Sequence, residues 1–151
     1  MDYQWQTCDF AGLDTLQLYA ALRLRQEVFA VEQDCAYLDL DDLDQGAIHM
    51  LCWHEGRLLA YQRCLAPGTN FPESALGRIV VSAQARGTQL GRELVRRGIR
   101  HNLECWPGHD IRINAQAYLQ DFYTGLGFVA DGGVFGEDGI PHIHMVYPRS
   151  A

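Results

Sequence analysis

Apolar and polar residues alternate along Tyr3-Gln4-Trp5-Gln6-Thr7, which predicts a half-buried first strand. From Leu13 to about Phe29 the spacing turns helical. Leu18, Leu22 and Phe29 fall on one stripe, Arg23, Arg25, Gln26 and Glu27 largely off it, and Asp14 stands where an N-cap belongs. Ala47–His54 and Arg57–Leu65, separated by Glu55-Gly56, read as the two strands of a hairpin. Pro67, Gly68 and Pro72 punctuate a surface loop, and a short β-branched run, Ile79–Val81, then has the character of a buried strand. Leu90, Leu94, Val95, Ile99 and Leu103 follow at helical spacing, stopped by Trp106-Pro107-Gly108. Asp110–Gln116 alternates as a further strand and leads into a short helix with Leu119, Phe122 and Tyr123 on one side. A glycine-rich, hairpin-like segment from Val129 onward ends in a last strand, Pro141–Tyr147, whose alternation puts His142 and His144 on one face. The order β-α-β-β-β-α-β-α-β-β predicts a mixed α/β (α+β) fold, a mostly antiparallel sheet covered by helices, in one domain spanning residues 1–151.

The chain has 151 residues, 48% of them hydrophobic, enough for one good core. No stretch approaches a membrane span, and MDYQWQTCDF lacks the basic start and apolar centre of a signal peptide, so the expected location is the cytoplasm with no membrane partner. The net charge of −7, from 19 acidic and 12 basic residues, argues against nucleic acid as a partner. Five cysteines without any C-x-x-C suit neither a disulfide framework nor a zinc cage, and His142-x-His144 has no evident third ligand, so no metal is expected. The acidic excess lies between Asp34 and Asp44. That run is read either as a solvated loop or, through Tyr37, Leu38, Leu40 and Leu43, as one packed on the body; beside a binding cleft it would favour a cationic ligand.

Between the strand Ile79–Val81 and the following helix lies Arg86-Gly87-Thr88-Gln89-Leu90-Gly91. A helix starting here aims unsatisfied N–H groups and the positive end of its dipole beyond the strand, which makes an anion site. Neither a Walker loop nor a dinucleotide fingerprint is present. The segment resembles the pyrophosphate loop of the GNAT superfamily of N-acyltransferases, (Gln/Arg)-x-x-Gly-x-(Gly/Ala). Arg86 and Gly91 match its ends, and Gln89 stands at the inner glycine position. Farther along, Phe122-Tyr123-Thr124-Gly125-Leu126-Gly127-Phe128 resembles the (F)Y-x-x-x-G-F signature of the same superfamily. The stretches LRLRQEVFAVEQDCAYLDLD, GRIVVS, AQAYLQDFYTGLGF and EDGIPHIHM are similar to the ElaA-like branch, and together these matches cover nearly the whole chain.

The resemblance implies a GNAT-like sheet splayed in the middle, with acetyl-CoA bound between the strands Ile79–Val81 and Asp110–Gln116. The backbone of Ile79, Val80 and Val81 would meet the acyl and pantetheine parts. The amides of Arg86, Gly87, Thr88, Gln89, Leu90, Gly91 and Arg92 would hold the pyrophosphate. Asn114 and Gln116 would touch pantetheine or acceptor. Tyr123 corresponds to the family tyrosine near the thioester sulfur, with the role of general acid toward the leaving thiolate.

Aminolysis of a thioester also needs a neutral amine, and an alkyl amine is mostly protonated at neutral pH, with an ordinary pKa of about 10.4 by analogy with lysine. Something must accept its proton. The candidates are Glu32, Asp39, Asp41, His49, Glu137, His142 and His144. Glu32 ranks first because it follows the first helix, where GNAT proteins commonly build the acceptor pocket, and His142 second. None of the cysteines lies in a recognisable nucleophile context, so the expected chemistry is direct attack in a ternary complex. The alternative is a non-catalytic acyl-CoA sensor or docking module on the same fold. Exposed sheet edges would permit a homodimer.

Overall fold

The alternating stretches form one eight-stranded sheet. The structure, a computed structural model, describes residues 2–149. The strands are β1 (Gln4–Asp9), β2 (Ile48–His54), β3 (Arg57–Leu65), β4 (Ser74–Val81), β5 (Ile111–Gln116), β6 (Val129–Ala130), β7 (Phe135–Glu137) and β8 (Ile140–Tyr147). Their spatial order is β1-β2-β3-β4-β5-β8-β6, with β7 also paired to β8. Three α-helices join them: α1 (Thr15–Gln26), α2 (Leu90–Cys105) and α3 (Gln120–Thr124). The β2–β3 hairpin turns on Glu55 and Gly56 at φ 51° and 76°, the positive angles that match the twist of the flanking strands.

Among the described residues β4 and β5 are the one parallel pair, and they are joined at only Ser74↔Ile111 and Ala75↔Arg112. Beyond these the strands part. The cause is visible in the register of β4 against β3: Tyr61 faces Val80 but Arg63 faces Gly77, so β4 carries one residue more than its partner. Arg78, at φ 50°, sits in this bulge, and a bulge bends its strand and raises the local twist. The strand predicted over Ile79–Val81 is therefore the bent second half of a longer one.

The two faces are covered from opposite sides. α2 buries Leu90, Leu94, Val95 and Ile99. The Asn102 amide donates to Ser74 Oγ (3.2 Å) and the Ala75 carbonyl (3.1 Å), anchoring the helix where β4 is still paired to β5. α2 also runs close over β3, since a Cβ on Gly98 would lie 2.6 Å from Gln62 Nε2. α1 packs Ala21 and Leu24 against Leu51, Tyr61 and Val80 on the other face. Its start is fixed by a capping box: Asp14 accepts from the Gln17 N–H (2.7 Å) while the Gln17 side chain accepts from the Asp14 N–H (3.0 Å).

Two expectations about this region are corrected. The helix predicted to reach Phe29 ends at Gln26, and Glu27–Glu32 continue as a wider π turn. Arg25, placed off the apolar stripe, is 1% exposed. It is buried because it meets acids from the loop beyond, Asp39 at 2.9 Å and Asp44 at 2.8 Å.

The same loop receives two more arginines. Arg63 pairs with Asp41 and, at 3.0 Å, with Asp44, while Arg78 pairs with Asp39 at 2.7 Å. Burial alone would raise the Asp41 and Asp44 carboxyls; the Arg63 and Arg25 guanidiniums override it and lower both, Asp41 to about 2. The acidic run is thus strapped down, not solvated, and the straps are carboxylates. Leu38 and Leu40, expected as anchors, are exposed. Among the described residues no helix is long and apolar enough to cross a membrane.

Candidate active site

Where β4 and β5 part, a cavity of about 1170 Å³ opens between them. Its walls are β4 from Ala75 to Val81, the turn into α2, β5 from Ile113 to Gln116, the π turn and the acidic loop after it, with Glu32 and Asp41, and residues of α3, β7 and β8. Past Ala75 the edge of β4 that faces β5 has no sheet partner, so its peptide groups are available to an extended ligand, which would add as a further strand.

At one end stands the turn before α2. Gln89, the residue at the inner glycine position, adopts a left-handed conformation (φ 66°, ψ 8°), the region a glycine would enter without penalty. No side chain caps the helix, leaving the first-turn N–H groups of Leu90, Gly91 and Arg92 directed outward. A Cβ on Gly91 would meet Val81 Cγ2 at 3.6 Å and Phe122 Cζ at 3.7 Å, ordinary contact, so an alanine fits here. Arg86, Gly87, Gln89, Leu90, Gly91 and Arg92 all line the cavity. Thr88 instead turns its hydroxyl to the Ala85 carbonyl.

Glu32 lies beside this turn and lines the same cavity. Its carboxylate forms a two-pronged ion pair with Arg86, with Nη2···Oε2 at 2.9 Å, and Arg86 also donates to the Val81 carbonyl at 3.2 Å. The hydrogen bond from Arg86 lowers the Glu32 pKa, and Glu32 in turn raises that of Arg86. A carboxylate held in this way is a poor proton acceptor, so its ranking ahead of His142 does not fit the geometry.

Tyr123 lies in the opposite wall, 5% exposed, edge-on to Phe122 (centroids 5.1 Å apart) and Phe128 (5.8 Å). Burial pushes its phenol well above the ordinary tyrosine value, so it keeps its proton at neutral pH. The hydroxyl forms no hydrogen bond among the described residues.

The alternation of β5 and β8 sorts their side chains. Ile111, Ile113, Ala115, Ile143 and Met145 enter the core, while Asn114, Gln116, His142 and His144 take the other face. Register brings these together, Asn114 opposite His144 and Gln116 opposite His142. Gln116 and Gln33 exchange amide hydrogen bonds of 3.0 and 3.2 Å, closing the cavity toward the π turn after α1. His142 Nδ1 lies 2.8 Å from the Ile140 carbonyl, which can only accept, so Nδ1 carries a proton and, in the neutral ring, the lone pair is on Nε2. That Nε2 faces Glu137 Oε2 at 3.8 Å. His49, by contrast, is buried between the Tyr61 hydroxyl (2.6 Å) and the Asp44 carbonyl (2.8 Å), and burial lowers its pKa, so it is a neutral structural residue. Among the described residues no three histidines, cysteines or acids converge as a metal site would require.

Residues 20–148 match the family described as an acetyltransferase (GNAT) domain. Protein ElaA of Escherichia coli (strain K12) is 40% identical over 144 residues, which cover 94% of each chain. A crystallised acyl-CoA N-acyltransferase from Pseudomonas aeruginosa superposes with a TM-score of 0.92 at 40% identity, over 97% of this chain and 100% of the other. The crystal structure of E. coli ElaA gives the same TM-score at 37% identity, with the same coverage. A parted parallel strand pair, an uncapped helix start at its mouth and these likenesses agree, and the chain belongs to the GNAT acetyltransferase family, in its ElaA-like branch.

Proposed function

We propose that this acyltransferase moves an acetyl group from acetyl-CoA to a primary amine by direct attack, with Tyr123 as general acid and His142 as the group that takes the amine's proton. The observation that carries the reading is the unpaired edge of β4, flanked by the uncapped start of α2 and walled by Tyr123, all on one cavity. The pantetheine arm pairs with β4 through Ile79, Val80 and Val81, whose Val81 carbonyl is already taken by Arg86. The diphosphate sits on the N–H groups from Arg86 to Arg92, in the positive field of the helix.

The acceptor ammonium gives one proton to His142 Nε2, the side-chain type whose ordinary proton affinity lies nearest neutrality. The free amine attacks the thioester carbonyl and forms the C–N bond, while a β4 N–H meets the developing oxyanion. As the C–S bond breaks, the thiolate takes the Tyr123 proton, and the second proton lost by nitrogen restores the phenol. Amide and CoA thiol leave, and His142 returns its proton to solvent. A phenol raised by burial can still serve, because the thiolate beside it is desolvated and made more basic by the same cavity.

Stopped assays of CoA release over polyamines, amino sugars, amino acids and peptides test the activity. Tyr123→Phe should lower kcat by about 10²-fold or more while leaving acetyl-CoA affinity, measured by calorimetry, within about twofold. Equal losses in both would remove Tyr123 from the acid role.

A further inference from the structure

One corner of the cavity holds hydrogen-bond acceptors without matching donors. The Asn114 amide donates to Glu137 Oε2 at 2.7 Å, which fixes its orientation because a carboxylate only accepts. Asn114 Oδ1 is thereby left as a buried oxygen with no partner among the described residues. His142 Nε2, its lone pair exposed by the bond from Nδ1 to Ile140, faces the same carboxylate at 3.8 Å. With the ring neutral, two acceptors so placed repel unless a donor lies between them; with Nε2 protonated they form an ion pair. No arginine neutralises Glu137 among the described residues. Those nearby are engaged elsewhere, Arg112 with Glu73 (2.9 Å) and Asp131 (2.7 Å), and Arg78 with Asp39 and Asp41. Buried unpaired polar atoms are rare in folded proteins and call for a cause.

We propose that Asn114 Oδ1, Glu137 and His142 Nε2 form the seat of the acceptor's ammonium group. An alkyl ammonium carries three N–H donors and no acceptor, the complement of this trio. The assignment rests on the acyl-transfer reading above, and it moves the preference for a cation from the acidic run Asp34–Asp44, whose inner carboxylates are consumed by arginines, to Glu137 on β7. It also makes Glu137 a specificity residue: it attracts the protonated amine and, once His142 has taken the proton, pairs with the imidazolium. Beside the trio, His144 is stacked on Phe135 (5.1 Å, 19°) and met edge-on by Phe71 (5.6 Å), an aromatic wall for the apolar body of the acceptor.

The probes are phenethylamine and its uncharged counterpart 2-phenylethanol, titrated into CoA-saturated protein and followed by the NMR signals of the Asn114 side-chain amide and the His142 imidazole. Phenethylamine should shift both signals saturably, and Glu137→Gln should weaken it about tenfold or more, the scale of a lost charge-assisted hydrogen bond. 2-Phenylethanol should bind weakly and equally to both proteins. Equal binding of the two probes, an unchanged affinity in Glu137→Gln, or shifts confined to other residues would overturn the assignment. CoA binding is measured on the same samples by calorimetry. Its failure would overturn the acyl-transfer reading, whereas intact CoA binding with no ammonium-dependent shift overturns the seat alone.

Discussion

Gln89 and Arg78 are non-glycine residues with positive φ, and each sits at a point where the cavity is made. At Gln89 the left-handed backbone turns the chain into α2 and frees the first-turn amides; at Arg78 it forms the bulge that parts β4 from β5. Such a conformation costs an L-residue roughly 1–2 kcal/mol, which glycine avoids while losing more entropy on folding. Gln89→Gly should therefore raise unfolding stability by about 0.5–1 kcal/mol, read from denaturant midpoints, and leave CoA affinity nearly unchanged, because the loop binds through backbone. Gln89→Val should lose stability instead. The residue-level chemistry was only partly legible in sequence. Tyr123, Arg86 and Gly91 stand in recognisable patterns, but nothing in the chain announces that Arg86 meets Glu32, 54 positions away, or that Asn114 Nδ2 is spent on Glu137.

Among the elements, the acidic loop is the one whose reading changed most. Alternation and helical spacing found the strands, the hairpin turn and both long helices, since those signals are local. The loop's state was decided by three arginines from α1, β3 and β4, contacts that no local pattern records, and so two exposed leucines looked like anchors. The strapped carboxylates have a consequence for acid stability. Asp41 has an ordinary value of 3.8 and a folded value of about 2, so its contribution is present above about pH 4 and lost as the pH falls through about 2. Asp44 is lowered as well and adds in the same direction. Denaturant midpoints should begin to fall as the pH drops through about 6.5, where the unfolded chain protonates His49 and the folded chain keeps it neutral, and should drop further below about pH 4.5 toward pH 2. In Asp41→Asn the midpoint at pH 7 should be lower and the acid drop shallower; an identical drop in both proteins would mean that the strap does not carry the effect.

On the scale of the whole molecule, the sheet is a device for keeping two neighbouring strands apart at one end. Asn102 pins α2 at the last paired residues, the bulge bends β4 away, and the strap from Asp39 and Asp41 holds Arg78 in the bulge. The wedge that results accepts a long thioester along β4, with its diphosphate at the start of α2 and an amine arriving from β7 and β8. All 12 basic residues are arginine, so no side-chain amine of the chain competes with that acceptor. The order of elements and the family resemblance made the wedge foreseeable, whereas its cause, one extra residue in β4, emerged only from the strand register. Amide hydrogen exchange with and without acetyl-CoA tests the wedge most directly. Ligand should slow exchange across Gly77–Val81 and Arg86–Arg92 while leaving β1 and β2 as they were; protection that spares both of those segments, or falls elsewhere, would contradict a cofactor seated between β4 and β5.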